Sequence, residues 1–452
     1  MKNFLPILFV VTAVFSSGQF SFAQKKEKKG RFLNSSTSAD TTKDDYYGDQ
    51  TIRYEDYIYK KYIHTVQLRD ESFELSHPIL NLDSQEKLKL SFDDLDGDLK
   101  SYSYSIIHCN SNWEPSDMMS AEYIEGFSDN TINDYRYSFN TFVKYTHFNA
   151  VFPNNSTRIT KTGNYILKVY LDGDPENIAI TKRFVVYQSK VMITSRVTAA
   201  TIIDDRNYKQ EIDFTINHTG YQINNPYGDF HVVITQNNRW DNAIRGLKPV
   251  YVKDAELVYD YDQDNVFPGG NEFRFFDIKS IRYMSERLYK VRTDTSGNHV
   301  ELYTDEKRTF KRFYSQSDIN GDFLIKVQEG NNSEVEADYC YVKFFLPYDA
   351  VLTDGNLYVF GAFNSWRCNR ENLMQYNSAR FGYECTILMK QGYYNYEFAF
   401  LKDGESAADE TLIEGTHYET ENDYTIYVYH RQQGTFYDQL IGVKRLNSMK
   451  DF

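Results

Sequence analysis

Leu88-Lys89-Leu90-Ser91-Phe92-Asp93-Asp94-Leu95-Asp96-Gly97-Asp98 is followed, after three more residues, by Tyr102-Ser103-Tyr104-Ser105-Ile106. Leu88, Leu90 and Phe92 alternate with Lys87, Lys89 and Ser91, a period of two that marks a strand with one buried face. The acidic run Asp93 to Asp98 contains a glycine and reads as a turn. Alternation resumes at Tyr102, Tyr104 and Ile106, so the pair is read as a β-hairpin. Similar runs cover Tyr165 to Leu171, Arg183 to Tyr187, Glu211 to Ile216 and His231 to Thr235. Asp172-Gly173, Asn225-Pro226 and Pro268-Gly269-Gly270 mark turns between such runs. Helical periodicity is confined to a short stretch, Ser116 to Tyr123. Short strands at this spacing predict an all-β chain of tandem β-sandwich domains, immunoglobulin-like or early-set in type.

The N-terminus reads differently. Lys2 gives a basic start, Leu5 to Phe15 is almost uninterruptedly apolar, and Ser21-Phe22-Ala23-Gln24 ends the stretch with small residues. This is the layout of a secretory signal peptide over residues 1–23, too short to serve comfortably as a membrane span. No cysteine at the cleavage point offers a lipid attachment. Residues 24–50 are polar, charged and aperiodic, and are expected to form a flexible linker.

With 452 residues the chain is long enough for two to four domains. The expected division is a first sandwich over 51–188, a second over 189–335 and a C-terminal early-set-like sandwich over 336–452. The Asn331-Asn332-Ser333 turn marks the last boundary. Fifty basic against 64 acidic residues give −14, and loss of the leader leaves 49 against 64, or −15. That balance argues against nucleic-acid binding, which needs a basic footprint. There are 39 Tyr and 32 Phe against 3 Trp, and tyrosine suits both a pleated surface and an interface. Cys109, Cys340, Cys368 and Cys385 are too few and too scattered for a disulfide framework. Cys368 and Cys385 are left as either a pair or buried thiols, the second being favoured.

Catalytic motifs fail one by one. The turns Asp93 to Asp98 and Asp260 to Asn265 are acid-rich like calcium loops, but neither places Gly at position six and Glu at position twelve. His108 and Cys109 are adjacent in a strand and point to opposite faces. HExxH, paired CxxC, GxxxxGK and GxSxG are all missing from the sequence. The expectation is a binding protein without catalytic residues, metal or cofactor, and not an enzyme.

Near the C-terminus, Leu357 to Trp366 contains Gly361-Ala362-Phe363-Asn364-Ser365-Trp366, and Gly392 to Gly404 contains Tyr394, Tyr396, Phe398 and Phe400 before Asp403-Gly404. This segment resembles the early-set, glycogen-binding type of carbohydrate-binding module. The resemblance implies a sugar-stacking role for Trp366, reduced to a vestige because no second tryptophan completes a platform. Tyr394, Tyr396, Phe398 and Phe400 share one face of a strand and are expected in the core.

Longer strings run through the whole chain. They are Tyr62 to Leu68, Leu90 to Leu95, Ile107 to Trp113, Tyr145 to Phe148 with Phe152-Pro153, Gln236 to Asp241, Phe267 to Asp277, Asp318 to Gly321 and Glu414 to Asn422. In number and order, from about residue 55 to 445, this set resembles the type IX secretion system plug protein family of Gram-negative bacteria. The resemblance implies a periplasmic protein held at the outer membrane through a partner, the translocon β-barrel, without membrane insertion of its own. Its implied role is to close the periplasmic mouth of that barrel when no cargo is loaded. The alternative is a periplasmic glycan-binding protein using the C-terminal domain. A body of this length has a radius of gyration of about 22 Å. Trp113 and Trp240 sit beside polar turn residues and are the expected partner-binding anchors.

Overall fold

The computed structural model describes residues 51–449. The expected signal peptide, 1–23, and linker, 24–50, lie outside the described residues. Strands dominate, and each helical segment among the described residues is one turn, such as Ser120–Tyr123 within the stretch expected to be helical. Among the described residues no helix is long and apolar enough to cross a membrane, a statement that does not bear on β-barrels.

Among the described residues, six sheets assort into three two-layered sandwiches, and a seventh is a small two-stranded ribbon. The first sandwich packs the sheet built on Tyr102–Cys109, Gly163–Leu171 and Ile178–Tyr187 against the sheet built on Ile63–Asp70, Leu88–Asp94 and Thr146–Phe152. Its core runs from Ile63 to Val186. Leu88, Leu90 and Phe92 all point inward, as the alternation requires.

The hairpin expected over residues 88–106 is not formed. Leu88–Asp94 pairs with Ile63–Asp70 and Thr146–Phe152, whereas Tyr102–Cys109 pairs with Gly163–Leu171 and with Asp129–Thr131 in the opposite sheet. The acidic turn is an arch that carries the chain across the core. Phe92 and Tyr102 face each other over it, ring centroids 5.0 Å apart. Alternation shows which face of a strand is buried but not which strand lies beside it, and a seven-residue connection permits either outcome.

The second and third domains also depart from the expected boundaries. Met192–Ala199 and Lys209–Asn217 form one sheet of the second sandwich. In its other sheet Phe230–Gln236 pairs with Asp423–His430, which pairs with Gln439–Asn447. One core joins Ile193 through Phe267 to Tyr424, Ile426, Val428, Ile441 and Leu446. The third sandwich is inserted within the second. It starts with Arg274–Asp277, which pairs with Gly392–Lys402, and its core ends at Ile413. Asn331-Asn332-Ser333 is therefore not a boundary; the Asn332 side chain caps the turn Ser333–Glu336 inside the third sandwich. Strand partners more than 180 residues apart leave no local mark, so a linear reading cannot see the return.

Two chain crossings, around 268–273 and 415–422, join the inserted domain to its host. They are laced together: the His417 amide donates to the Gly270 carbonyl at 2.8 Å, and the Asn422 side-chain amide donates to the Gly269 carbonyl at 2.8 Å. Gly270 takes φ +66°, a backbone that favours glycine.

Candidate functional site

Where the three sandwiches meet, one turn of the second reaches both others. Phe230–Gln236 ends in Asn237 and Asn238, both with positive φ, which turn the chain so that Arg239 and Trp240 leave in different directions. Trp240 meets Trp113 of the first sandwich edge to face at 4.8 Å. Around them Ile79, Cys109, Ile166 and Val185 pack against Val233, Tyr427, Tyr429 and Leu440. Hydrogen bonds flank this apolar patch: Tyr429 Oη donates to Asn164 Oδ1 at 2.7 Å, and Ser111 donates its amide and hydroxyl to Asp438 at 2.9 and 2.7 Å. Trp113 retains 2% exposure, with the Arg183 guanidinium 4.5 Å from its ring centre. Trp113 is enclosed by this seam, whereas Trp240, in contact with it, stays half-buried.

Arg239 points the opposite way. Its guanidinium pairs with Asp241 at 2.7 Å and with Glu410 at 2.5 Å, reaches Glu397 at 3.5 Å, and lies 4.8 Å from the Trp366 ring centre. Phe273 and Phe360 meet the same indole at 5.9 and 5.4 Å. Gly321 lies so close that a Cβ there would be 2.2 Å from the indole. Trp366 is half-buried in this packing, with Arg239, Phe273, Phe360 and Gly321 against its ring. Tyr394, Tyr396, Phe398 and Phe400 are buried in the core of the third sandwich.

The seam between the first and third sandwiches is charged. Lys390 Nζ lies 2.6 Å from Asp93 Oδ2, and both side chains are 1% exposed. Tyr339 Oη donates to the same oxygen at 2.6 Å, and His147 Nδ1 lies 2.6 Å from Asp93 Oδ1. Lys390 also donates to the Glu334 carbonyl at 2.7 Å and sits 4.2 Å from the Tyr145 ring centre. Burial alone drives the Asp93 carboxyl up; the Lys390 ammonium and His147 more than offset this and hold it below the usual carboxylate range. Phe142 and Val143 donate their amides to Asp338 at 2.7 and 3.0 Å, extending the seam.

Among the described residues two carboxylate clusters have the spacing to hold a cation. In the arch, Asp94, Asp96 and Asp98 converge, but Lys100 Nζ already sits among them at 2.9, 2.5 and 3.2 Å. The acidic turn carries its own cation. Glu211, Asp213 and Asp260 form the other group. There Arg196 holds Asp213 by two hydrogen bonds at 3.0 and 2.8 Å, and Thr201 donates to both Glu211 oxygens. Burial, with Glu211 and Asp260 alongside, raises the Asp213 carboxyl to about 6. The four cysteines are free thiols. Burial pushes Cys109, Cys368 and Cys385 up to about 12, far from the reactive range. A cleft of about 650 Å³ opens on the first sandwich beside Phe127, Asn130, Asn149 and Asn154. Its carboxylate, Asp129, accepts from Tyr170 Oη at 2.7 Å.

Asp93, Lys390, Arg239, Glu397 and Glu410 were not legible as a group in the sequence. They come from separate strands and turns, Asp93 and Lys390 being 297 residues apart, and each reads locally as an ordinary surface charge.

Residues 63–188, which span the first sandwich, match the family described as type 9 secretion system plug protein, first domain. The chain belongs to the type IX secretion system plug protein family. A crystal structure of a hypothetical protein from Parabacteroides merdae is 32% identical, covers 88% of this chain and 100% of its own, and superposes with a TM-score of 0.85. No curated protein matches the chain. Membership of the plug family ties the protein to type IX secretion. In this member of the family the tryptophans hold the domains to one another.

Proposed function

We propose that this protein is the periplasmic plug of the type IX translocon, closing the periplasmic end of the outer-membrane barrel while no cargo is loaded. The observation that carries this reading is the mutual locking of the three sandwiches. A cover for a wide pore has to resist deformation, and a string of freely jointed domains does not. Here the second sandwich is braced against the first by an apolar seam and against the third by Arg239 and its acids. The third is braced against the first by the buried Asp93–Lys390 pair. Such a body works by binding, not by catalysis. Its partner is the translocon barrel, and its place is the periplasm, at the outer membrane.

Affinity purification of the tagged protein from gently solubilised envelopes tests the reading. A very large outer-membrane barrel is expected in near-equal amount, and deletion of the gene is expected to admit large antibiotics through idle translocons. Recovery of the protein alone, with unchanged permeability in cells shown to hold idle translocons, would overturn it.

A further inference from the structure

Charge is distributed unevenly along this acidic chain. Residues 279–316 contain nine Lys and Arg against five Asp and Glu, a net +4, so the remainder carries −18 of the total −14. The same segment displays Tyr283, Met284, Tyr289, Tyr303, Phe310 and Tyr314 to solvent. It includes a long connection without regular structure, between Gly297–Leu302 and Phe323–Ile325. Connections of that length inside a compact domain are uncommon, and binding loops are among their usual roles.

Its root is fixed. Asp305 accepts from Arg274 at 3.1 Å, from Arg287 at 2.7 Å and from Tyr396 Oη at 2.8 Å. Arg308 Nε donates to Glu414 at 2.7 Å, and Phe313 rests on His417 with ring centroids 5.6 Å apart. Between these anchors the tip turns outward, with Phe310 94% and Tyr314 77% exposed. Lys311 pairs with Glu306. Among the described residues Arg312 has no ion pair, and neither do Lys290 and Arg282. Tyr289 and Tyr303 lie beside each other at the base of the loop, ring centroids 5.6 Å apart.

We propose that the tip Phe310–Tyr314, with Lys290 and the Tyr289–Tyr303 pair, is a membrane-surface contact that seats on anionic phospholipid headgroups. Phe310 is convex and almost wholly hydrated, so it has no groove of its own and fits a deformable interface. Aromatic rings settle at headgroup depth, and neighbouring cations pair with lipid phosphates. The repulsion between an acidic body and an anionic bilayer is offset locally at such a basic tip. The contact is peripheral and involves no span. It stands apart from the plug reading, since vesicles contain no barrel.

Flotation of residues 24–452 with vesicles of phosphatidylethanolamine and phosphatidylglycerol tests the proposal. The protein is expected to float with these vesicles at low salt, to be released as salt is raised, and not to float with phosphatidylcholine alone. The F310S/R312E/K290E variant changes exposed side chains only and is expected to keep the wild-type melting temperature. Its bound fraction should fall by about 10-fold or more, since each cation near such a surface contributes on the order of fivefold. Absence of flotation, or equal flotation of the variant, would overturn the proposal. So would capture of an acidic protein through this tip without any vesicle binding.

Discussion

Asp93 and Lys390 form a fully enclosed ion pair between the first and third sandwiches, 2.6 Å apart and 297 residues apart in sequence. Removing one member leaves the other buried and uncompensated. Lys390→Met is expected to lower unfolding free energy by about 3–5 kcal/mol. The double change Asp93→Leu with Lys390→Met is expected to recover much of that loss. Urea denaturation of the four proteins closes the cycle, and additive losses would show that the pair is not coupled.

Trp113→Ala empties the apolar seam between the first and second sandwiches. A cost of about 3–5 kcal/mol is expected, as for other large aromatic truncations in a core. Trp240→Ala should cost less alone and add little to Trp113→Ala, because the two rings share one contact. Thermal denaturation of the single and double variants reads this directly.

Trp366→Ala is expected to destabilise the protein, since it removes the ring between Arg239, Phe273 and Phe360. Titration of the wild-type protein with soluble glucan is expected to give no binding heat. Saturable glucan binding that disappears in Trp366→Ala would restore a sugar site.

Glu272 lies at the crossing into the inserted domain, 3% exposed, with Oε2 lacking a partner. Burial, then Asp318, raises its carboxyl to about 8. An unfolded glutamate ionises near 4.3, so between roughly pH 4.3 and 8 the folded chain binds more protons than the unfolded one. Stability from this group is present below that window and is lost as pH rises through it. Glu272→Gln should flatten this response and gain about 1–3 kcal/mol at pH 9 while changing little at pH 4. Denaturation midpoints at pH 4, 7 and 9 test it; parallel curves for the two proteins would remove Glu272 as the cause.

Much of the strand content was legible because burial imposes its period on the sequence. Tyr165 to Leu171 falls within Gly163–Leu171, and His231 to Thr235 within Phe230–Gln236. Asp172 and Gly173 take positive φ in the hairpin that follows the first of these. Pairing was not legible, as the arch after Phe92 shows, because either sheet satisfies the same alternation. The tryptophans stood out by rarity and by their polar neighbours, yet exposed neighbours do not reveal whether the indole between them is covered. Asn112 and Glu114 beside Trp113 do face solvent, while the second domain covers the indole. Ser91 and Asp93 mislead in the same way, since their strand is covered on both faces.

A variant in which residues 274–414 are replaced by a short Gly-Ser bridge is expected to keep the first two sandwiches folded, because the crossings it joins already touch. A fragment confined to residues 189–335 is expected not to fold, because it lacks Asp423–His430 and Gln439–Asn447. Circular dichroism melting distinguishes the two; a cooperative melt of the shorter fragment would contradict the insertion.

The same nesting sets a timetable for a chain that emerges N-terminus first. The first sandwich is complete once Tyr187 is out, and the third once the strand ending at Lys402 and the turn ending at Glu414 have followed. The middle sandwich waits for Gln439–Asn447, with its early strands exposed in the meantime. Early termination near the C-terminus therefore strikes the middle of the assembly. It removes Gln439–Asn447, and with it Leu440 and Val443 from the seam that braces the first sandwich against the second.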